Sequence, residues 1–289
     1  MTLNWFYLVL IYIVMNSISK LIQKYVMEDE VVDPTAFGAF WHLMSGIIGL
    51  PFIFTAKLIY PHSLKIWLIV LLSASIYSAC LLLYYHALNN TELSQTEAIS
   101  TTRSIWFVIL GALFFEETLN LSKLLGVGLI FAGLLVIYYQ KRAKTSFGKH
   151  HIFVLVYALL VSCAYALDKF ALGYFSVGLY NSLLYFLPGT ITIILFPRTL
   201  EKMKHLIRPR KNNYLILLSC FVQIISTLSL YAAYQIGELS VVGPLAQTST
   251  VLTIIFGIFL LKERWNLKRK ITGIAIVSVG VIFLKFSVF

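Results

Sequence analysis

Two stretches of this chain carry one pattern. Glu92–Leu121 reads ELSQTEAISTTRSIWFVILGALFFEETLNL, and 146 residues later Glu238–Leu267 reads ELSVVGPLAQTSTVLTIIFGIFLLKERWNL. Nine of the 30 aligned positions are identical, and five of these are polar: Glu92/Glu238, Ser94/Ser240, Thr102/Thr248, Glu117/Glu263 and Asn120/Asn266. With one residue inserted the register continues, so that Gly126 and Gly133 match Gly273 and Gly280. A chain built this way folds as two copies of one unit, 1–145 and 146–289. Internal duplication is a common construction for membrane transporters.

The solvent for that unit follows from composition. With 59% hydrophobic and 12% charged residues, the chain has too little polar surface to fold in water. A spanning helix needs roughly 20 mostly apolar residues. Ten segments qualify, near 3–26, 35–56, 64–88, 94–115, 121–140, 151–172, 177–197, 213–236, 240–261 and 270–288. The expected fold is an all-α integral membrane protein of ten transmembrane helices, five to each repeat. Five is odd, so the second copy enters from the opposite face, and the repeats are inverted about an axis in the membrane plane. The first segment lacks a basic leader and a cleavage site, so it reads as a retained helix.

A net charge of +11 raises the question of nucleic acid. The basic residues cluster instead at helix ends, as in Arg208, Arg210 and Lys211 or Lys268, Arg269 and Lys270. That is a topological signal with anionic lipid as its partner, and nucleic acid is excluded. Most Lys and Arg fall in loops that follow odd-numbered helices, which puts both termini outside the cytoplasm. Cys80, Cys163 and Cys220 have no CxxC spacing and read as packing residues. No HExxH, GxSxG, Walker loop or acidic metal cluster is present, so neither an enzyme nor a cofactor is expected.

The G-x5-E-x2-N sequence closing helices 4 and 9, the five-plus-five organisation and LDKFAL at Leu167–Leu172 resemble the drug/metabolite transporter superfamily, EamA type. The resemblance covers the whole chain. It implies a multi-pass transporter of the cell membrane, the inner membrane of a bacterium, that moves a small polar or amphipathic metabolite such as an amino acid or derivative. Transport is implied to be outward and by alternating access, through a cavity between helices 1–4 and 6–9. One departure is Ala98, where the pattern places a proline as it does at Pro244. A lipid flippase, a lipid-modifying enzyme and a non-transporting scaffold are the competing readings, and monomer and homodimer both fit.

Polar residues inside the spans mark where a cavity would lie. Helix 4 is polar from Ser94 to Ser104 and wholly apolar from Ile105 to Phe115; helix 9 repeats this with Ser240, Gln247, Thr248, Ser249, Thr250 and Thr253 before Ile254–Leu261, and the two half-polar helices would enclose one wet site. Arg103 sits about ten residues into helix 4, where an arginine facing lipid costs at least about 2.5–3.5 kcal/mol. It reads either as an anchor for a substrate carboxylate or phosphate or as an interhelical bridge to Glu97, Asp168 or backbone carbonyls. Glu97 reads as a proton-coupling carboxylate or as a helix-start residue favoured by the dipole. Lys20 and Lys169 hold matching places in helices 1 and 6, close enough to the ends to snorkel. Asp168 could pair only across helices, because neighbours in sequence point to different faces. Thr101, Tyr84, Tyr85, His86 and Tyr231 complete the expected substrate site beside the polar starts of helices 4 and 9. The glycine pairs on helices 5 and 10 suit close packing, Gly243-Pro244 and Pro188-Gly189 suit bends, and Glu117 and Glu263 are expected to set the loops after helices 4 and 9.

Overall fold

A computed structural model describes residues 4–27, 33–88, 99–138, 149–207, 213–260 and 267–286. Among them every regular element is helical: α1 Trp5–Met27, α2 Pro34–Gly49 with a 3-10 turn Leu50–Thr55, α3 Leu64–Leu88, α4 Arg103–Phe115, α5 Leu121–Tyr138, α6 Lys149–Ala171, α7 Val177–Leu195, α8 Arg198–Ile207, α9 Asn213–Ile236, α10 Leu239–Gln247, α11 Ser249–Leu260 and α12 Leu267–Phe286. Among the described residues, six helical stretches are long and apolar enough to cross a membrane: Trp5–Gln23, Thr35–Thr55, Leu64–Tyr84, His150–Ala171, Val177–Leu195 and Tyr214–Ile236. Arg103–Phe115 and Leu121–Ile137 are shorter apolar helices.

Three departures from the expected helices have local causes. The second span tightens into a 3-10 turn at Leu50 because Pro51 has no N–H to give and its ring crowds the preceding turn. The ninth is divided at Thr248 into α10 and α11, four residues beyond Pro244, which itself lies within continuous helix. Between the seventh and eighth spans lies α8, RTLEKMKHLI, whose Met203 and Leu206 are buried while its charged residues face out. Such an amphipathic helix suits a membrane interface. Lys202 on α8 bonds Asp33 Oδ2 at 2.6 Å, and Asp33 caps α2 by accepting the Ala36 N–H at 2.9 Å.

Helix packing has a symmetry of partners. α5 packs on α12 and α2 on α7, each helix meeting its own counterpart in the other half, and the fourth span meets the ninth through the unlike pieces α4 and α10. The remaining contacts exchange: α1 meets α9 as α6 meets α3, and α9 meets α2 as α3 meets α7. Glycines permit the closest approaches and fix the sense of each pair. A Cβ on Gly126 would stand 3.0 Å from the Gly280 carbonyl oxygen, and one on Gly133 would stand 2.8 Å from that of Gly273. Residue numbers rise along α5 as they fall along α12, so the two run antiparallel. The same holds for α2 and α7, where Gly49 meets Ser182 while Gly189 meets the Ala39 carbonyl. The glycine stripes therefore face each other within one chain, as their heptad spacing led us to expect.

Candidate functional site

The two interrupted helices are broken by the same residue. Thr102 donates its hydroxyl to the Ile99 carbonyl at 2.8 Å and its N–H to the same oxygen at 3.1 Å. Thr248, its repeat counterpart, does this to Leu245 at 2.7 and 3.0 Å. A threonine hydroxyl that captures a carbonyl one turn back competes with the helical ladder, and a tightened turn inside a helix is a recurrent functional hinge. After each break a new helix begins, α4 with Arg103 and α11 with Ser249. Those first residues meet at one cavity.

That cavity is small, about 30 Å³, and is lined by Tyr12, Lys20, Arg103, Phe107, Tyr165, Leu230, Tyr234, Gly243, Ala246, Gln247 and Ser249. It has room for about one water molecule. Arg103 Nε donates to the Ser100 carbonyl at 3.0 Å and its guanidinium lies 5.6 Å from the Tyr157 ring centre, which in turn lies 5.2 Å from the Tyr84 ring. Lys20 lines the same space, where the sequence also allowed it to snorkel. Gln247 is 8% exposed, and its amide nitrogen has no hydrogen-bond partner among the described residues. A buried donor left unmet costs about 1–3 kcal/mol, and sites that retain one commonly serve a ligand or water. Asn16 donates to Ser249 Oγ at 2.9 Å and Ser17 to the Ser249 carbonyl at 2.7 Å, which pins α1 to the start of α11.

Asp168 stands apart from Arg103 in a cluster of hydroxyls. Its Oδ1 accepts from Ser73 at 2.6 Å and Tyr180 at 2.8 Å; its Oδ2 accepts from Tyr77 at 2.6 Å and Tyr231 at 3.3 Å. The carboxylate is wholly buried, and four donors from α3, α7 and α9 converge on it. Tyr231, expected beside the substrate, is thus engaged with Asp168. Tyr77 packs against Tyr165 at 6.0 Å between ring centres, so these two rings connect this cluster to the wall of the Arg103 cavity.

Lys169 is turned the other way. Its ammonium donates to Glu117 Oε1 at 3.1 Å and to the Gly237 carbonyl, with the Phe115 ring centre 5.2 Å away. Glu117 does more than set the loop after helix 4, as its position suggested. Glu116 adopts the left-handed conformation at φ 53°, closing α4 and turning the chain. Glu117 then accepts the Leu239 N–H at 2.6 Å and the Ser240 N–H at 2.8 Å, capping α10, whose own N-cap Glu238 gives no side-chain cap. Burial pushes the Glu117 carboxyl up, but the hydrogen bonds from Ser240 and Leu239 and the Lys169 charge outweigh it and hold the group below the ordinary glutamate value. Lys123, 1% exposed, closes the same end by bonding the Glu238 carboxylate and, at 2.6 Å, the Thr118 carbonyl. A wider cavity of about 680 Å³, lined by Lys169, Phe115, Tyr174 and Gln235, lies at this end; Tyr234 borders both it and the inner cavity.

Of the remaining expected site residues, Thr101 is buried in the turn that precedes Arg103, and Thr248 has its hydroxyl committed at the break. Tyr85 and His86 lie on α3, and nothing further of their side chains is described. Glu97 lies outside the described residues. Tyr12 and Asn16 were not foreseen, and Ser249 was expected only as one of the polar residues of helix 9. Tyr12 and Asn16 stand in an apolar run whose periodicity says which face is buried but not what it meets, whereas Ser249 is the repeat counterpart of Arg103.

Comparison with known proteins gives the family and the likeness of fold. A protein of Archaeoglobus fulgidus named an uncharacterized transporter is 26% identical over 208 residues, covering 70% of this chain and 69% of that protein. A solved structure described only as "Crystal structure of protein" superposes with a TM-score of 0.75 over 97% of this chain and 98% of the other, at 12% identity, a likeness of fold. The EamA-like transporter family model matches twice, over residues 3–139 and 148–286, and the chain belongs to that family of multi-pass membrane transporters.

Proposed function

We propose that the chain is a secondary transporter of ten spans in two inverted repeats, and that it carries a small metabolite bearing a carboxylate, such as an amino acid or derivative. The exchange of packing partners and the antiparallel glycine contacts support the inversion. The observation that carries the substrate class is the cavity at the two broken helices. Arg103 and Lys20 supply positive charge, the half-helices α4 and α11 begin there, and the Gln247 amide waits for an acceptor. A guanidinium fork, helix starts and an amide donor together favour a carboxylate. The cavity is far too small for an amino acid, so binding requires the helices to part, and the threonine breaks supply hinges. Outward movement follows the family resemblance, and Tyr234 forms the partition a substrate must pass.

The test is flux in proteoliposomes with radiolabelled glutamate, alanine and lysine, beside a fluorescent lipid for flippase activity. Wild-type protein is expected to move a carboxylate substrate, Arg103→Ala to lose it, and Gln247→Ala to weaken it about tenfold, the loss of one hydrogen bond to a charged group. Lipid movement without amino acid movement would replace this reading with the flippase. Equal flux by Arg103→Ala and wild type would remove the anchor.

A further inference from the structure

We propose that Asp168 is a proton-binding site whose occupancy decides how firmly α6 is tied to α3, α7 and α9. Three observations lead there. First, the carboxylate is fully buried inside the span His150–Ala171, and hydroxyls are its only partners among the described residues. An anion compensated by dipoles alone is expensive to keep in a membrane interior and is readily neutralised by a proton. Second, the repeat does not need it. The matching place in α1 is Ser19, which donates to the Ser219 carbonyl at 3.1 Å, and Ser219 is itself the counterpart of Ser73. A neutral serine therefore makes the same helix contact in the other half, so packing does not require the carboxylate. Third, the ring of donors suits only the ionised form.

The third point gives the site two states. An ionised carboxylate accepts all four O–H bonds. A protonated one must donate its own hydrogen, so at least one hydroxyl reverses and sends its hydrogen elsewhere. Ser73 has such an exit, because a serine in a helix can donate to the carbonyl one turn back, as Ser75 does to Leu71 at 2.8 Å. Proton uptake thus keeps the partners but turns charge-assisted bonds into neutral ones, about half as strong, which loosens the tie of α6 to its neighbouring helices. The surrounding titratable groups are Tyr77 on α3, Tyr180 on α7, Tyr231 and Tyr234 on α9, and Tyr165 and Lys169 on α6 itself. Just past the end of α4, Glu117 is occupied with Lys169, and on α4 itself Arg103 lies in the cavity beyond Tyr165. With an anion bound at Arg103, a proton at Asp168 would offset its charge from beyond the Tyr77 and Tyr165 rings. That use of the site rests on the transporter reading; the site itself does not.

Infrared titration of the purified protein in nanodiscs, without substrate, tests it. A protonated-carboxyl band is expected that appears reversibly between about pH 5 and 9 and is absent in Asp168→Asn. Tyr180→Phe and Tyr77→Phe each remove a donor to the anion. They should move the midpoint upward by about one pH unit or more, the equivalent of one hydrogen bond to a charged group. Should Asp168→Asn fail to fold, these variants carry the test alone. A carboxyl that stays ionised across the range, or a midpoint unmoved by both phenylalanines, overturns the proposal and makes Asp168 a permanent latch. Failure here leaves anion flux through Arg103 untouched, and loss of the anion reading leaves this titration standing.

Discussion

Replacing Glu117 by alanine should unlatch the two halves of the molecule. Its side chain is 5% exposed and holds three donors: the N–H groups of Leu239 and Ser240 and the ammonium of Lys169. Losing the cap of α10 costs about 1 kcal/mol. Leaving Lys169, whose side chain is 14% exposed, without its counter-ion costs more. Removing one member of a buried pair typically costs about 3–5 kcal/mol, and the residual exposure of Lys169 argues for the lower end, so about 3–4 kcal/mol in total is expected. Lys169→Met in the same chain removes the stranded charge, so the double variant should recover about 2 kcal/mol relative to the sum of the single variants. The pH dependence has a definite sign. Because the folded carboxyl titrates below its unfolded value, its contribution is complete above about pH 5 and is lost as pH falls through the folded value. Chemical unfolding in detergent at several pH values measures all three quantities. Additive single variants, or an acid limb unchanged in Glu117→Gln, would show that the latch carries no such energy.

Other consequences are simpler. Gly133→Leu and Gly273→Leu should each lower stability by about 1–3 kcal/mol or more, because a Cβ at either position already falls 2.8 or 2.6 Å from a carbonyl oxygen of the facing helix; thermal unfolding reads this directly. Tyr234→Ala should join the outer and inner cavities. In a background with the three native cysteines replaced by alanine, Ala246→Cys should then react faster with an impermeant thiol reagent applied from the side of the outer cavity. An unchanged labelling rate would place the partition elsewhere. Lys202→Ala should cost no more than about 1 kcal/mol, since the Lys202 and Asp33 side chains are 57% and 31% exposed and water screens the pair.

The sequence makes the architecture visible because duplication repeats whatever the architecture needs. Glycines that let α5 and α12 touch, threonines that break the fourth and ninth spans, and Glu117 with the Leu239-Ser240 amides it caps all fall on repeated positions. The pattern marks them, but it cannot say that Glu117 serves the opposite half, since that contact crosses 122 residues. The site is less legible. Which hydroxyls reach Asp168 depends on how α3, α7 and α9 are rotated about their axes, and apolar periodicity fixes a rotation far more coarsely than a hydrogen bond requires. The amphipathic α8 leaves no apolar run in the sequence, and its charged residues beside Pro197 read as loop.

The repeated and unrepeated residues divide by task. Repeated positions build contacts that recur in both halves, and a scaffold made only of these would have inward-facing and outward-facing states of equal energy, each the other turned over. Lys20 and Lys169 repeat, but two charges within the spans do not: Arg103 answers to Ser249, and Asp168 to Ser19. In the proposed cycle both lie near the helices that part, Arg103 in the cavity and Asp168 where four helices are tied. They are therefore the groups able to make the two states unequal, and a substrate or proton that meets them changes that inequality. Exchanging the pair, with Arg103→Ser and Ser249→Arg in one chain, tests this without altering composition. The anion site should survive while the preferred facing, read by one-sided thiol labelling of Ala246→Cys, shifts toward the opposite side. An unshifted labelling pattern with anion flux retained would mean that the scaffold itself, through its unrepeated helix α8 or its loops, sets the balance.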